Sequence, residues 1–282
     1  MESNGLPRYP ADMHIRTCGR GGLGPAMLLA TMLAGAFAPG AIAATAASAA
    51  ADPQPPQSRT ATPSPAILVF THTRGWRHES IPAAVETLRE LASQAGLAVV
   101  HSEDPALFED AGLSRFQIVV FANTTGEVLD PAQRAAFERY VTDGGAFMGV
   151  HSAADTHKQW PWYGRLVGAW FKGHPPGLQT TTLRFEGGRG PDGLERWQVT
   201  DELYNYDRNP RPAVAVVATV DEAGYEGGAM GADHPIAWCH ASAGGRAWYT
   251  GLGHATALYA EPAFRAHLLR GLRYASGQAD AC

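Results

Sequence analysis

The chain has 282 residues, 45% of them hydrophobic and 17% charged, with a formal net charge of −5. Those values suit one ordinary globular domain plus a tail. They lack the basic excess of a nucleic-acid surface, so no nucleic-acid partner is expected.

The first 49 residues read as a cleaved signal peptide. Arg8, Arg16 and Arg20 precede an apolar stretch from Ala26 to Ala38, and Ala41-Ile42-Ala43 and Ala47-Ser48-Ala49 both fit a small-residue cleavage site. The competing readings are a membrane anchor or a start codon placed upstream of a shorter signal. The apolar stretch is shorter than the ~18–20 residues of a spanning helix and ends at Pro39-Gly40, so no membrane span is expected after processing. No paired arginines precede the stretch and no cysteine follows it closely, which argues against a twin-arginine signal or a lipid anchor. The expected location is the periplasm or the medium. Residues 50–65, with five prolines, read as a linker to a domain spanning 66–276, and 277–282 as a tail.

Ala66–Phe70 is an unbroken apolar run, as in a strand covered on both faces. A loop follows that carries His72, Arg74, Trp76, Arg77 and His78. Ser80 is the expected N-cap of a helix whose stripe is Val85, Leu88, Leu91 and Ala92 and which stops at Gly96. Strands are expected at Leu97–Val100 and Gln117–Asn123, then a helix from Asp130-Pro131 to Gly144. The run Gly144–Val150 delivers His151-Ser152-Ala153-Ala154-Asp155, a buried strand turning sharply into a helix in the manner of a nucleophile elbow. Strand alternating with helix implies an α/β domain with a mostly parallel sheet between helices. Beyond the elbow, the expected elements are a short helix ending at Gly168, an edge strand at Leu178–Phe185, a Gly-rich surface loop at 187–193, and strands at Trp197–Val199 and Ala213–Val220. A strand pair at 235–240 and 246–250, around the turn Ala243-Gly244-Gly245, and a closing helix at Pro262–Tyr274 complete the domain.

In an open parallel sheet, ligands bind at the carboxyl ends of the strands. Seven histidines stand in loops or at strand ends: His72, His78, His151, His174, His234, His240 and His254. His151 and His254 each follow a strand and a glycine, so both should face one crevice. Imidazole is a poor acyl carrier but a good general base or metal ligand. Glu202 and Asp201 precede Tyr204 and Tyr206. Glu202 is read as a proton partner and Asp201 as a solvated turn residue. Trp76, Trp160, Trp162, Tyr163, Trp170, Tyr204 and Trp238 supply aromatic faces on which a sugar can stack. No H-E-x-x-H, C-x-x-C or helical histidine pair is present, so no metal ligand is assigned and no cofactor expected; a zinc ion held by loops, such as His151, Glu202 and His240, is the remaining metal reading. With Cys18 in the signal, Cys239 and Cys282 can pair in an oxidising compartment, yet a buried thiol at Cys239 and a frayed end at Cys282 is the preferred expectation.

Several ordered motifs resemble those of the ThuA-like, or trehalose-utilisation, family. They are Thr71-His72-Thr73-Arg74-Gly75-Trp76-Arg77-His78, Gly149–Asp155, Gly173-His174-Pro175, Asp201-Glu202-Leu203-Tyr204, and Trp238-Cys239-His240 through to Gly251-Leu252-Gly253-His254. The resemblance implies a class I glutamine amidotransferase-like fold, a flavodoxin-like three-layer sandwich. True glutaminases of that superfamily carry cysteine where His151 stands, so glutamine hydrolysis is not expected. The family's association with disaccharides and oligosaccharides implies a carbohydrate ligand. The candidate catalytic residues are His151, His254 and Glu202; the candidate substrate-binding residues are His72, Arg74, His78, His174, Tyr204, Trp238 and His240. The leading expectation is acid and base chemistry on a sugar or keto-sugar. The alternatives are a carbohydrate-binding accessory module and a zinc-dependent hydrolase.

Overall fold

β1 (Ala66–Phe70) is apolar throughout because it lies inside a sheet covered on both faces, and Ile67 to Phe70 are wholly buried. The structure is a computed structural model that describes residues 65–242 and 244–282; the expected signal segment, all but the last residue of the linker, and Ala243 lie outside the described residues. α1 (Ile81–Gln94) buries Val85, Leu88, Leu91 and Ala92 as its spacing predicts. β2 (Ala98–Ser102), a one-turn α2 (Asp110–Leu113) and β3 (Phe116–Ala122) follow. α3 (Pro131–Thr142) opens with a capping box between Asp130 and Gln133, and β4 (Ala146–Val150) is buried at every position.

His151–Asp155 then forms a single 3-10 turn rather than the α-helix the small residues suggested, and α4 (Pro161–Val167) begins only after a further loop. The remaining elements are β5 (Phe171–Gly173), β6 (Gln179–Phe185), β7 (Arg196–Asp201), β8 (Asn205–Tyr206), β9 (Ala215–Val220), β10 (Pro235–Ser242), β11 (Gly245–Thr250) and α5 (Pro262–Ala275).

Among the described residues, nine strands form one sheet in the order β2-β1-β3-β4-β11-β10-β9-β6-β7, and β5 pairs with β8 apart from it. From β2 to β11 the pairs are parallel; from β11 to β7 they are antiparallel. The parallel core agrees with the expected α/β class. β6 was expected at an edge, but it lies between β9 and β7 and the edge is β7. An interior antiparallel strand with one solvated face alternates just as an edge strand does, so its pattern could not tell them apart.

Helices cover both faces. Adjacent residues of β11 point opposite ways: Trp248 packs under α5 against His267, whereas Tyr249 faces Trp238 and Tyr206. On that second face Phe121 and Phe147 meet Phe137 of α3 and Tyr163 of α4.

The chain end overturns another expectation. Cys239 and Cys282 form a disulfide and both are buried, while Arg246 donates to the Tyr274 and Ala279 carbonyls. Folding α5 back along β11 brings two cysteines 43 residues apart into contact, a closeness in space that chain distance hides.

Candidate functional site

β4, β11 and the loop after β1 deliver their following residues to the same end of the sheet, as parallel strands must. β7 runs the other way from its neighbour β6, which brings Asp201 and Glu202 to that end as well. His78, His151, Glu202 and His254 therefore converge, each offering a ligand atom, and these atoms lie within 4.8 Å of one another. The crevice above them, about 410 Å³, is lined by Trp76, His78, Asp155, Phe171, His174, Glu202, Tyr204 and His254.

His151 sits at the tip of the elbow with φ +51°, a conformation that side chains other than glycine rarely take. Its ring is wholly buried, its Nδ1 lies 2.8 Å from the Gly251 carbonyl, and Tyr249 Oη donates to its own carbonyl at 2.9 Å. Tyr204 lies against the imidazole at 4.2 Å between ring centres. His151 Nε2 faces Glu202 Oε2 at 3.4 Å, and His254 Nδ1 faces the same oxygen at 3.3 Å. His174 Nδ1 lies 3.3 Å from Glu202 Oε1. Ser152, next along the turn, is buried with its hydroxyl 3.4 Å from His78 Nδ1.

Burial, with His151 and His254 alongside, pushes His78 down to about 3. Burial alone would raise the Glu202 carboxyl, but His151 and His254 hold it below the usual range. Glu202 in turn raises His254 against the opposing effect of burial. The cluster thus keeps a carboxylate ionised among imidazoles at the floor of the crevice.

Asp201 is not the solvated turn residue expected. It is wholly buried, and its two oxygens accept from the Gly253 amide at 2.6 Å and the Ala255 amide at 2.8 Å, fixing the loop that presents His254. Burial nevertheless raises its carboxyl. The Gly253 carbonyl is held from the other side by Ser80 Oγ, Asn123 Nδ2 and Tyr259 Oη. Ser80 stands at the N-cap of α1, but its hydroxyl serves this carbonyl instead of capping the helix. Gly253 itself has φ +125°, and a Cβ there would come within 2.7 Å of Tyr259 Oη. Asn123 at φ +56° is the one member of this clamp with a sequence-level signal, a polar residue ending a buried apolar strand.

Not every expected site residue reaches the crevice. Trp238 has no exposed surface and donates Nε1–H to the Val167 carbonyl at 2.8 Å; it is core, not a ligand contact. His240 pairs with Ala247, three residues before the end of β11, and lines a separate cavity of about 670 Å³ with Trp162, Arg165, Trp170 and Arg208. Because β10 runs antiparallel to β11, the chain reaches His240 while travelling away from the crevice. A metal set containing His240 is therefore ruled out by position. His72 lies on Phe70 at 6.0 Å between ring centres, and Arg74 is exposed beside Gly126; neither lines the crevice. His234 is buried against the Tyr204 carbonyl and Glu222. Phe171, which the sequence reading did not single out, forms a wall of the crevice against Tyr204 at 4.2 Å.

No helix among the described residues is long and apolar enough to cross a membrane. The structure is similar to a putative ThuA-like protein from Bacteroides uniformis, with a TM-score of 0.64 and 19% identity over 76% of this chain and 93% of that one. It is also similar to a putative ThuA-like protein from Parabacteroides merdae, with a TM-score of 0.60 and 19% identity over 76% and 91%. At such identities the likeness shows the fold. No curated protein matches the sequence. The family model described as trehalose utilisation, ThuA, matches residues 66–275, and the chain belongs to that family.

Proposed function

We propose that this crevice binds a carbohydrate, such as a disaccharide or a keto-sugar, and moves protons on it. The observation that carries the reading is one carboxylate, Glu202, flanked by two imidazoles that remain about a third open to the crevice: His174, whose Nδ1 lies 2.8 Å from the Pro175 carbonyl and 3.3 Å from Oε1, and His254, whose Nδ1 lies 3.3 Å from Oε2. His151 was expected to be half of the acid and base pair. Its complete burial, where His174 and His254 are partly open, makes it a fixed part of the floor. The proton carriers are His174 and His254, with Glu202 sharing charge between them.

Trp76, 71% exposed at the lip, and the rings of Phe171 and Tyr204 offer the apolar faces that pyranose rings stack on. On a keto-sugar, one imidazole takes the proton from the carbon between the keto and anomeric carbons. The electrons of that C–H bond form a double bond as the bond to the glycosidic oxygen breaks, and the departing oxygen receives a proton from the other imidazole. The reading excludes glutaminase chemistry: Cys239 and Cys282 are bound to each other, so neither offers a thiolate. The disulfide also supports the expected export, since such bonds persist in oxidising compartments. N-terminal sequencing of the mature protein tests that point.

The test of function is calorimetry and product analysis with disaccharides and their keto derivatives. Binding and turnover in the native protein, with His174→Ala binding but not turning over, is the expected result. Binding with unaltered turnover in that variant removes the proton role, binding with no turnover at all leaves an accessory binding module, and no binding overturns the reading.

A further inference from the structure

We infer that His78, His151, Glu202 and His254 together form a binding site for a divalent transition-metal ion. The first argument is tautomeric. A carbonyl oxygen only accepts, so His151 Nδ1, 2.8 Å from the Gly251 carbonyl, carries the ring proton and Nε2 is left with a lone pair. That lone pair faces Glu202 Oε2 at 3.4 Å, which is also an acceptor. Both His151 Nε2 and His254 Nδ1 are buried without a hydrogen-bond partner. Buried polar atoms are seldom left so, and two of them aimed at one carboxylate oxygen require positive charge among them.

The second argument is metric and separates an ion from a shared proton. A shared proton would sit on the line between one nitrogen and the oxygen in an aligned hydrogen bond, and neither nitrogen makes one. An ion sits off those lines, equally near all donors. Ligand atoms about 2.1 Å from a tetrahedral ion stand about 3.4 Å from each other. The separations here are 3.4 Å and 3.3 Å, with His78 completing a set in which no two ligand atoms exceed 4.8 Å.

The supporting contacts fit as well. Ligating imidazoles bond their other nitrogen to a carbonyl or similar group; His151 does so with the Gly251 carbonyl, and Ser152 Oγ lies 3.4 Å from His78 Nδ1. Three imidazoles with one carboxylate suit zinc, iron, cobalt, nickel or copper, and not calcium or magnesium, which prefer oxygen. For its role, though not for its binding, the inference rests on the crevice being the reactive site. There the ion would polarise the keto oxygen of a bound sugar; His254 would then ligate the ion in place of the proton role given above, and His174, outside the ligand set, would serve in turn as base and acid.

The experiment uses the protein purified without a histidine tag. Plasma mass spectrometry after exhaustive dialysis should find a near-stoichiometric transition metal in the native protein and in His240→Ala, and a loss of it in Glu202→Gln and His254→Ala. Chelator-stripped native protein, which needs no variant to fold, should develop the visible absorption of low-coordinate Co²⁺ on titration and regain melting temperature by several degrees on adding Zn²⁺. Stripped protein that gives neither signal with Co²⁺, Zn²⁺, Ni²⁺ or Mn²⁺ overturns the inference, as does equal metal in native protein and Glu202→Gln. Calorimetry on the stripped protein keeps the two readings apart. Sugar binding without any metal signal leaves the proposed function standing, and a metal signal without sugar binding leaves the ion alone.

Discussion

His240 and His254 come from one hairpin, β10 and β11, yet they lie in different cavities. His254 follows β11, whose direction matches β4 and β1, so it arrives beside His151 and His78. His240 lies on β10, which runs the opposite way, and it faces Arg165, Trp162 and Trp170 at the far side of α4. Both are histidines of the same hairpin, one within β10 and the other just past β11. Strand direction decides which histidine meets a carboxylate and which is left with tryptophans and arginines.

The largest effect that would sharpen this contrast is on turnover. Glu202→Gln removes the carboxylate between the imidazoles and should lower kcat by ~10²–10⁴-fold, while His240→Ala should leave kcat unchanged on the same substrate. Equal losses in both variants would erase the distinction between the two ends of the hairpin.

The disulfide secures the His240 end. Cys282→Ser should cost about 2–4 kcal/mol in denaturant unfolding, because it frees a loop closed across 43 residues, while leaving sugar binding in the crevice intact. A variant as stable as the native protein would show that the buried packing of the tail suffices alone.

The His254 end is secured by Asp201, a positioning residue with no place in the crevice lining. Asp201→Asn puts a donor where two backbone amides already donate and should cost about 1–3 kcal/mol. Because the His254 loop then loosens, kcat should fall more than KM rises. Loss of stability with both kinetic constants unchanged would make Asp201 merely structural.

The smallest effect concerns acid. His267 of α5, packed against Trp248 of β11, is held by burial down to about 3, against an ordinary 6.5. The folded protein keeps it neutral while the unfolded chain takes up a proton, so its contribution is whole above about pH 7 and is lost as pH falls from 6.5 toward 3. At pH 5 the loss is about 2 kcal/mol. His267→Gln should flatten the slope of stability between pH 7 and 5 even though it lowers stability throughout; an unchanged slope would assign the acid sensitivity to other groups.

Much of the fold was legible in the sequence. Ala66–Phe70, Ile118–Ala122 and Ala146–Val150 are apolar without interruption because parallel strands are covered on both faces, and α1 shows its buried stripe directly. The convergence of His151, His254 and Glu202 at one end of the sheet was legible because each follows a strand. Trp238 and His240 were misplaced because spacing carries no strand direction. Asp201 was missed because its partners, the Gly253 and Ala255 amides, lie over fifty residues away, and a turn aspartate reads the same whether solvated or buried.

The sequence by itself determined the α/β class, the strand carrying the elbow, and the residue types available for chemistry, since those depend on local periodicity and on side-chain identity. Only the tertiary structure decided that His78 joins His151, Glu202 and His254, that Cys239 meets Cys282, and that His240 stands apart. Each of these depends on how distant segments pair and in which direction they run, and chain distance holds no record of that.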